Sequence, residues 1–277
     1  MPTNFPRRQF LRTSVLTTAA AATASHTHAV PRQKLALGYD NFAVRAMGWK
    51  APQLIDYTVE LKVDTLFITD LDAFESLEEN ALTEIGKLAE EKGIQLYLGT
   101  WSICPTSVTF KDKWGTADEH LQIGIRAAEA LKSPSLRVVL GNGKDRLSEG
   151  GIDARIDDTV AVLQRNKSIA VDAGIKIGME NHAGDMHSLE LVRLIEDAGT
   201  DFVGANVDSG NAVWTLEDPV ENLRNLAPYA LTTSLRDTAI WESENGFTAQ
   251  WTAMGEGTTD LKTYFELFAS ECPDVPV

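Results

Sequence analysis

Short apolar runs alternate with longer amphipathic segments from residue 34 to the end of the chain. The short runs have the composition of buried parallel strands, and the longer ones have the spacing of helices that are apolar on one side. The pattern repeats about every 30 residues, which predicts βα units with crossover helices. The predicted strands span 35–40, 65–69, 95–101, 136–141, 176–180, 202–208 and 231–236. The predicted helices span 51–62, 77–92, 117–132, 153–173, 188–198, 218–226 and 261–270.

This alternation predicts an α/β fold, a (β/α)8 TIM barrel that lacks its eighth strand in this chain. An open doubly wound sheet is the competing architecture, but no glycine-rich nucleotide fingerprint follows the first predicted strand. Only residues 271–277 follow the last predicted helix. We therefore expect a C-terminally incomplete barrel domain, with two strand edges left unpaired.

The first 29 residues have the composition of an export signal. Arg7 and Arg8 precede an alanine-rich apolar stretch from Val15 to Ala24, and small residues suitable for cleavage follow up to Ala29. The sequence thus predicts a twin-arginine signal over residues 1–29, a barrel domain over 30–277 and a periplasmic protein. The apolar stretch is too short for a membrane-spanning helix, so we expect no membrane anchor.

The chain is acidic, with 25 Lys and Arg against 40 Asp and Glu, or −15. Without the three arginines of the predicted signal, the balance is 22 against 40, a formal charge of −18. Such a surface repels phosphate backbones, so we expect no nucleic-acid partner. The two cysteines, Cys104 and Cys272, fall on opposite faces of the predicted barrel and are expected to be free thiols.

Two carboxylates mark the ends of neighbouring predicted strands. Glu180 ends the fifth strand and Asp208 ends the sixth. Because side chains alternate along a strand, Glu180, Asp208, Ser234 and Arg236 are expected to point into the barrel. The carboxyl ends of barrel strands carry the active sites of such enzymes, so these residues predict a catalytic site.

Aromatic side chains add a second signal at the same end. All six tryptophans follow a predicted strand and precede its helix: Trp49, Trp101, Trp114, Trp214, Trp241 and Trp251. Flat apolar rings suit the C–H face of a sugar, so Trp101, Trp214 and Trp241 are candidate substrate contacts. A lid that merely packs the long loops is the alternative interpretation.

Four segments resemble the xylose isomerase-like barrel superfamily, the sugar phosphate isomerase/epimerase group that also contains endonuclease IV. They are residues 180–182 (Glu-Asn-His), 208–211 (Asp-Ser-Gly-Asn), 234–237 (Ser-Leu-Arg-Asp) and 255–257 (Gly-Glu-Gly). The resemblance implies metal ligands at Glu180 and Asp208. Ser234 stands where the family has a histidine ligand, and a fourth ligand, a glutamate, belongs to the eighth strand. Glu256 is a further candidate ligand, because its loop leaves the same face.

By this resemblance the chain is a divalent-metal-dependent isomerase, epimerase or related lyase that acts through an enediolate on a sugar or keto-sugar. Glu180 would be both metal ligand and acid/base, with Mn²⁺ or Mg²⁺ favoured over Zn²⁺ by the oxygen ligands. His182 and Arg236 would contact substrate; the alternatives are a loop histidine and a charge partner for Asp208.

Two other functions remain open at this point. A carbohydrate-binding barrel that has lost its metal is consistent with Ser234 in the histidine position. An endonuclease IV-like phosphodiesterase needs several zinc-binding histidines and a basic groove. The chain has five histidines, of which His26 and His28 lie in the predicted signal.

Overall fold

Seven parallel strands form one curled sheet in the order in which they occur along the chain. The structure, a computed structural model, describes residues 35–244 and 246–277. The strands are β1 (Gly38–Asp40), β2 (Thr65–Ile68), β3 (Gln95–Ser102), β4 (Ser135–Val139), β5 (Lys176–Glu180), β6 (Val203–Val207) and β7 (Ala230–Thr233). Each overlaps a predicted strand, because short apolar runs between turn residues can be buried only as central strands.

A helix follows each strand and packs on the outside of the sheet. The helices are α1 (Ala51–Leu61), α2 (Glu79–Glu91), α3 (Ala117–Ala130), α4 (Gly151–Asp172), α5 (Ser188–Ala198), α6 (Pro219–Leu226) and α7 (Leu261–Glu271). Local sequence explains their starts: Thr116 and Glu119 form a capping box on α3, and Asp218 caps α6 ahead of Pro219. The architecture is that of a TIM barrel lacking one strand, as predicted.

The core lies between the sheet and the helices. Ile177 and Met179 of β5 and Ala205 and Val207 of β6 are fully buried, as the predicted alternation requires. Both cysteines are free and buried, which confirms that expectation. Within the described residues, no helix combines the length and apolar character needed to cross a bilayer.

The two edge strands of the sheet are linked by residues 276 and 277. The Val277 amide donates to the Ala36 carbonyl and its carbonyl accepts from the Gly38 amide, both at 2.8 Å. The Thr233 hydroxyl donates to the Pro276 carbonyl, also at 2.8 Å. These residues therefore lie between β1 and β7.

A β-hairpin between β7 and α7 was not among the predicted elements. Its antiparallel strands are β8 (Asp237–Ser243) and β9 (Gly246–Thr252). The Asp237 carboxylate accepts from the amides of Gly255 and Gly257 and so ties the loop after β9 to the start of β8. An Asn-Gly pair at 245–246 between two alternating segments is the sequence signal for such a hairpin. The predicted export signal, residues 1–29, lies outside the described residues.

Candidate active site

A cavity of about 550 Å³ opens at the carboxyl ends of the strands. Its polar wall includes Asp40, Arg137, His182, Asn211 and Arg236. Arg137 lies within β4, and the other four residues end or follow β1, β5, β6 and β7, so the cavity exists only once the sheet is curled. This is the end at which barrel enzymes carry their chemistry.

Glu180 lies beneath this cavity, sealed from solvent. Its carboxylate accepts from the Nε of Arg137, on β4, and from the side-chain amides of Asn206 and Asn211, at 3.2 Å each. Burial raises the pKa of Glu180, but the charges around it, including those of Arg137 and Arg236, outweigh burial and hold the pKa below its usual value. Glu180 is therefore an ionised, fully hydrogen-bonded carboxylate that does not itself line the cavity.

Asp208 forms the second buried ion pair. Its carboxylate lies 2.6 Å from Arg236 and accepts from the Gly210 amide and from the Asn211 amide group, both at 2.9 Å. Burial raises the pKa of Asp208 to about 7, with the charge of Arg236 acting in the opposite direction. Gly210 makes this pairing possible, because a Cβ there would lie 2.2 Å from the Arg236 Cγ.

His182 presents its ring to the cavity in one fixed orientation. Its Nδ1 lies 2.6 Å from the Gly141 carbonyl oxygen. A carbonyl oxygen only accepts, so Nδ1 carries the hydrogen and Nε2 of the neutral ring is left as an acceptor. Burial lowers the pKa of His182, and Arg137 and Arg236 lower it further against the charge of Glu180. Trp101 packs edge-on against the ring at 5.4 Å between centroids.

The loop that carries His182 is held by a buried aspartate. Asp185 accepts from the amides of Gly141, His182 and Met186. Ala183, next to His182, adopts a positive φ of 44°, which is unusual for a residue with a Cβ. The loop thus keeps a strained conformation that directs the imidazole toward the cavity.

Asp40 and Ser234 meet at the closing seam of the sheet. Asp40 ends β1 and its carboxylate accepts from the Phe42 amide at 2.8 Å. Burial raises the pKa of Asp40, whereas the hydrogen bond from Phe42, the charge of Arg137 and the Ser234 hydroxyl each lower it by less. Ser234 is buried beside Asp40 and does not itself line the cavity.

Three tryptophans, Trp49, Trp101 and Trp251, line the cavity together with Phe42. Trp214 does not line it but lies 5.5 Å from the Trp251 ring. Trp241 is half exposed on β8, away from the cavity.

Of the remaining candidates, Glu256 is exposed and does not line the cavity. His120 is buried against the Thr100 hydroxyl at 2.6 Å, and His187 caps α5. Both of these histidines are structural.

The donor set of this site does not fit a divalent ion. The carboxylates of Glu180 and Asp208 are each covered by a guanidinium. Across residues 35–244 and 246–277, no three Asp, Glu, His or Cys side chains converge as a metal site would require. A hard divalent ion needs several free oxygen ligands.

Comparison with known proteins places this geometry in a family. The sequence model of one protein family, the xylose isomerase-like TIM barrel, matches residues 44–271 of this chain. The chain belongs to that family. A sequence relative is the 3-oxo-isoapionate decarboxylase of Pectobacterium atrosepticum, 23% identical over 209 residues, which are 75% of this chain and 68% of the relative.

Solved structures of this xylose isomerase-like type share the fold. An L-ribulose 3-epimerase superposes with a TM-score of 0.67 at 15% identity, covering 88% of this chain and 80% of its own. The IOLI protein, solved with a bound zinc atom, superposes with a TM-score of 0.65 at 14% identity and covers 84% of each chain. At these identities the likeness extends to the fold alone.

Sequence reasoning missed three residues of the xylose isomerase-like site: Arg137, Asn211 and Asp40. Arg137 had a usable signal, because a charged residue in the middle of the apolar run 136–140 must be buried with a partner. Asp40 also had one, since it ends the first predicted strand as Glu180 ends the fifth. Asn211 had only its place in the segment 208–211 that resembles the family.

Proposed function

We propose that this chain is a carbohydrate enzyme that moves a proton on a carbon next to a sugar carbonyl. The substrate class is a sugar or keto-sugar, and the reaction is an isomerisation, an epimerisation or a related lyase step. Family membership supports the class, and the epimerases among the structural neighbours support the chemistry.

The observation that carries the proposal is that His182, Arg137 and Arg236 line one cavity. His182 offers an unprotonated Nε2, which accepts a proton from carbon and returns it to the resulting enolate. Arg137 and Arg236 line the same cavity and offer N–H donors to the oxygen that becomes negative. Glu180 then acts as a positioning residue, because it holds Arg137 and does not reach the cavity.

The aromatic wall supplies the binding half of the site. Trp49, Trp101 and Trp251 present apolar rings to the cavity that the polar residues also line. A sugar ring has an apolar C–H face and a hydroxylated edge, so it stacks on the tryptophans with its oxygens toward the arginines. A metal-dependent form of the reaction, with Mn²⁺ or Mg²⁺ on Glu180 and Asp208, is the alternative and requires both guanidiniums to leave.

Proton exchange with solvent tests the proposal directly. The purified chain is incubated in D₂O with ketopentoses, ketohexoses and 3-keto sugars, and NMR follows deuterium entering the carbon next to the carbonyl. We expect exchange or product formation with at least one of them. Saturable sugar binding without exchange would instead support the non-catalytic carbohydrate-binding barrel.

Decarboxylation of a 3-oxo sugar acid is a second candidate. The guanidiniums of Arg137 and Arg236 in the cavity favour it, because loss of CO₂ leaves an enolate that needs a positive partner and a proton donor but no base on carbon. The relative named as a 3-oxo acid decarboxylase supports the same reaction. Release of CO₂ without deuterium exchange into the unreacted substrate would favour this candidate.

A further inference from the structure

The two carboxylates that the family resemblance assigns to a metal are both occupied by arginine. Arg137 pairs with Glu180, and Arg236 pairs with Asp208. The Glu180 and Asp208 side chains are 0% exposed, whereas those of Arg137 and Arg236 are 7% and 21% exposed. The guanidiniums therefore lie between the carboxylates and the cavity.

Each arginine is held by contacts other than its ion pair. Arg137 also donates to the Thr100 carbonyl at 2.9 Å, and the missing side chain of Gly99 leaves room for it, since a Cβ there would lie 3.2 Å from the Arg137 Cδ. Arg236 passes over Gly210 and stacks on Trp251, with its guanidinium carbon 4.7 Å from the ring centroid. The surrounding chain is thus shaped around both guanidiniums.

An ion at this place would meet two obstacles. A guanidinium keeps its charge at every accessible pH, so an incoming cation would have to displace two permanent cations or lie beside them. It would also depend on Glu180 and Asp208 for its protein ligands, because Ser234 does not line the cavity and Glu256 is exposed.

We infer that Arg137 and Arg236 take the electrostatic place of a divalent ion, so that this site works without one. The inference concerns the charges of the site and stands whether or not the substrate is a sugar. Under the proposed function it has one consequence: the developing negative oxygen is stabilised by two guanidiniums.

Manganese titration of the purified chain tests this inference without an activity assay. Calorimetry and thermal melting are run with Mn²⁺ on the wild type, on Arg137→Met/Arg236→Met and on Arg45→Met. Arg45 is the matched control, because it lines the same cavity and, among the described residues, no carboxylate forms an ion pair with it. We expect no saturable heat and no change in Tm for the wild type and the control.

The double variant should behave in the opposite way. Two buried carboxylates without partners lower its Tm, and Mn²⁺ at about 100 times its Kd should then raise that Tm by several degrees. Should the double variant fail to fold, Arg236→Met alone and Arg236→Lys serve instead, with a Mn²⁺ response expected only for methionine. Saturable Mn²⁺ binding by the wild type, or no response of either methionine variant, overturns the inference. Neither result bears on deuterium exchange, so the proposed function is tested separately.

Discussion

At the scale of single residues, His182 is distinguished by what each of its ring nitrogens does. Nδ1 is committed to the Gly141 carbonyl, while Nε2 is left as the acceptor. His182→Asn keeps a donor at the place of Nδ1 and removes Nε2. We expect kcat to fall by about 10²–10⁴, the usual contribution of a positioned acid or base, with the Tm nearly unchanged.

His182→Gln is the matched control, since its amide reaches toward the Nε2 place but loses the bond to Gly141. It should lose both activity and part of the loop's stability. An asparagine variant with wild-type kcat in the deuterium assay would assign the proton transfer to another group.

The pair of Glu180 and Arg137 is the residue-scale test of the buried charges. Glu180→Gln is nearly isosteric but leaves the Arg137 guanidinium buried without a counter-charge. We expect a loss of about 3–5 kcal/mol in the free energy of unfolding, measured by urea denaturation. Glu180→Gln/Arg137→Met removes both charges and should recover part of that loss. Equal stability of the single variant and the wild type would contradict a buried ion pair.

At the scale of elements, the segment after β6 decides where Arg236 lies. A Cβ at Gly210 would approach the Arg236 Cγ to 2.2 Å, so Gly210→Ala must displace the arginine. We expect a cost of about 1–3 kcal/mol in the free energy of unfolding, together with a loss of activity. Gly178→Ala is the control inside the same barrel, because its Cβ would make an ordinary 3.6 Å contact with Asn206.

The hairpin shows why the elements were predicted unevenly. Strands and helices of the barrel have a repeating pattern that a sequence displays directly, so all seven parallel strands and seven helices of the described residues were predicted to within a few positions. The segments 237–243 and 246–252 alternate too, but they lie in what the repeat marks as a loop. β8 and β9 are stabilised by pairing with each other and do not pair with the seven-stranded sheet.

At the scale of the whole molecule, the first 29 residues predict that the folded protein is exported to the periplasm. Replacing Arg7 and Arg8 with lysine should keep the protein in the cytoplasm, because the twin-arginine pair is what the export machinery reads. Fractionation of cells expressing both forms measures the distribution. Periplasmic protein that still begins at Met1 would contradict cleavage after Ala29.

The sequence by itself determined the repeat of βα units and which side of each strand faces inward. Those properties depend on neighbours one to four positions away, so apolar periodicity reports them. It also predicted that the described cysteines are free, because barrel topology separates them.

Only the tertiary structure decided what Glu180 and Asp208 do inside the barrel. Arg137 and Glu180 come together because β4 pairs with β5 so that Arg137 lies opposite Gly178 and Val139 opposite Glu180. Alternation says that a charge points inward, but the register between strands and the space left by glycine determine which opposite charge it meets. The family resemblance therefore pointed to the two carboxylates, but only the fold shows that each of them pairs with an arginine.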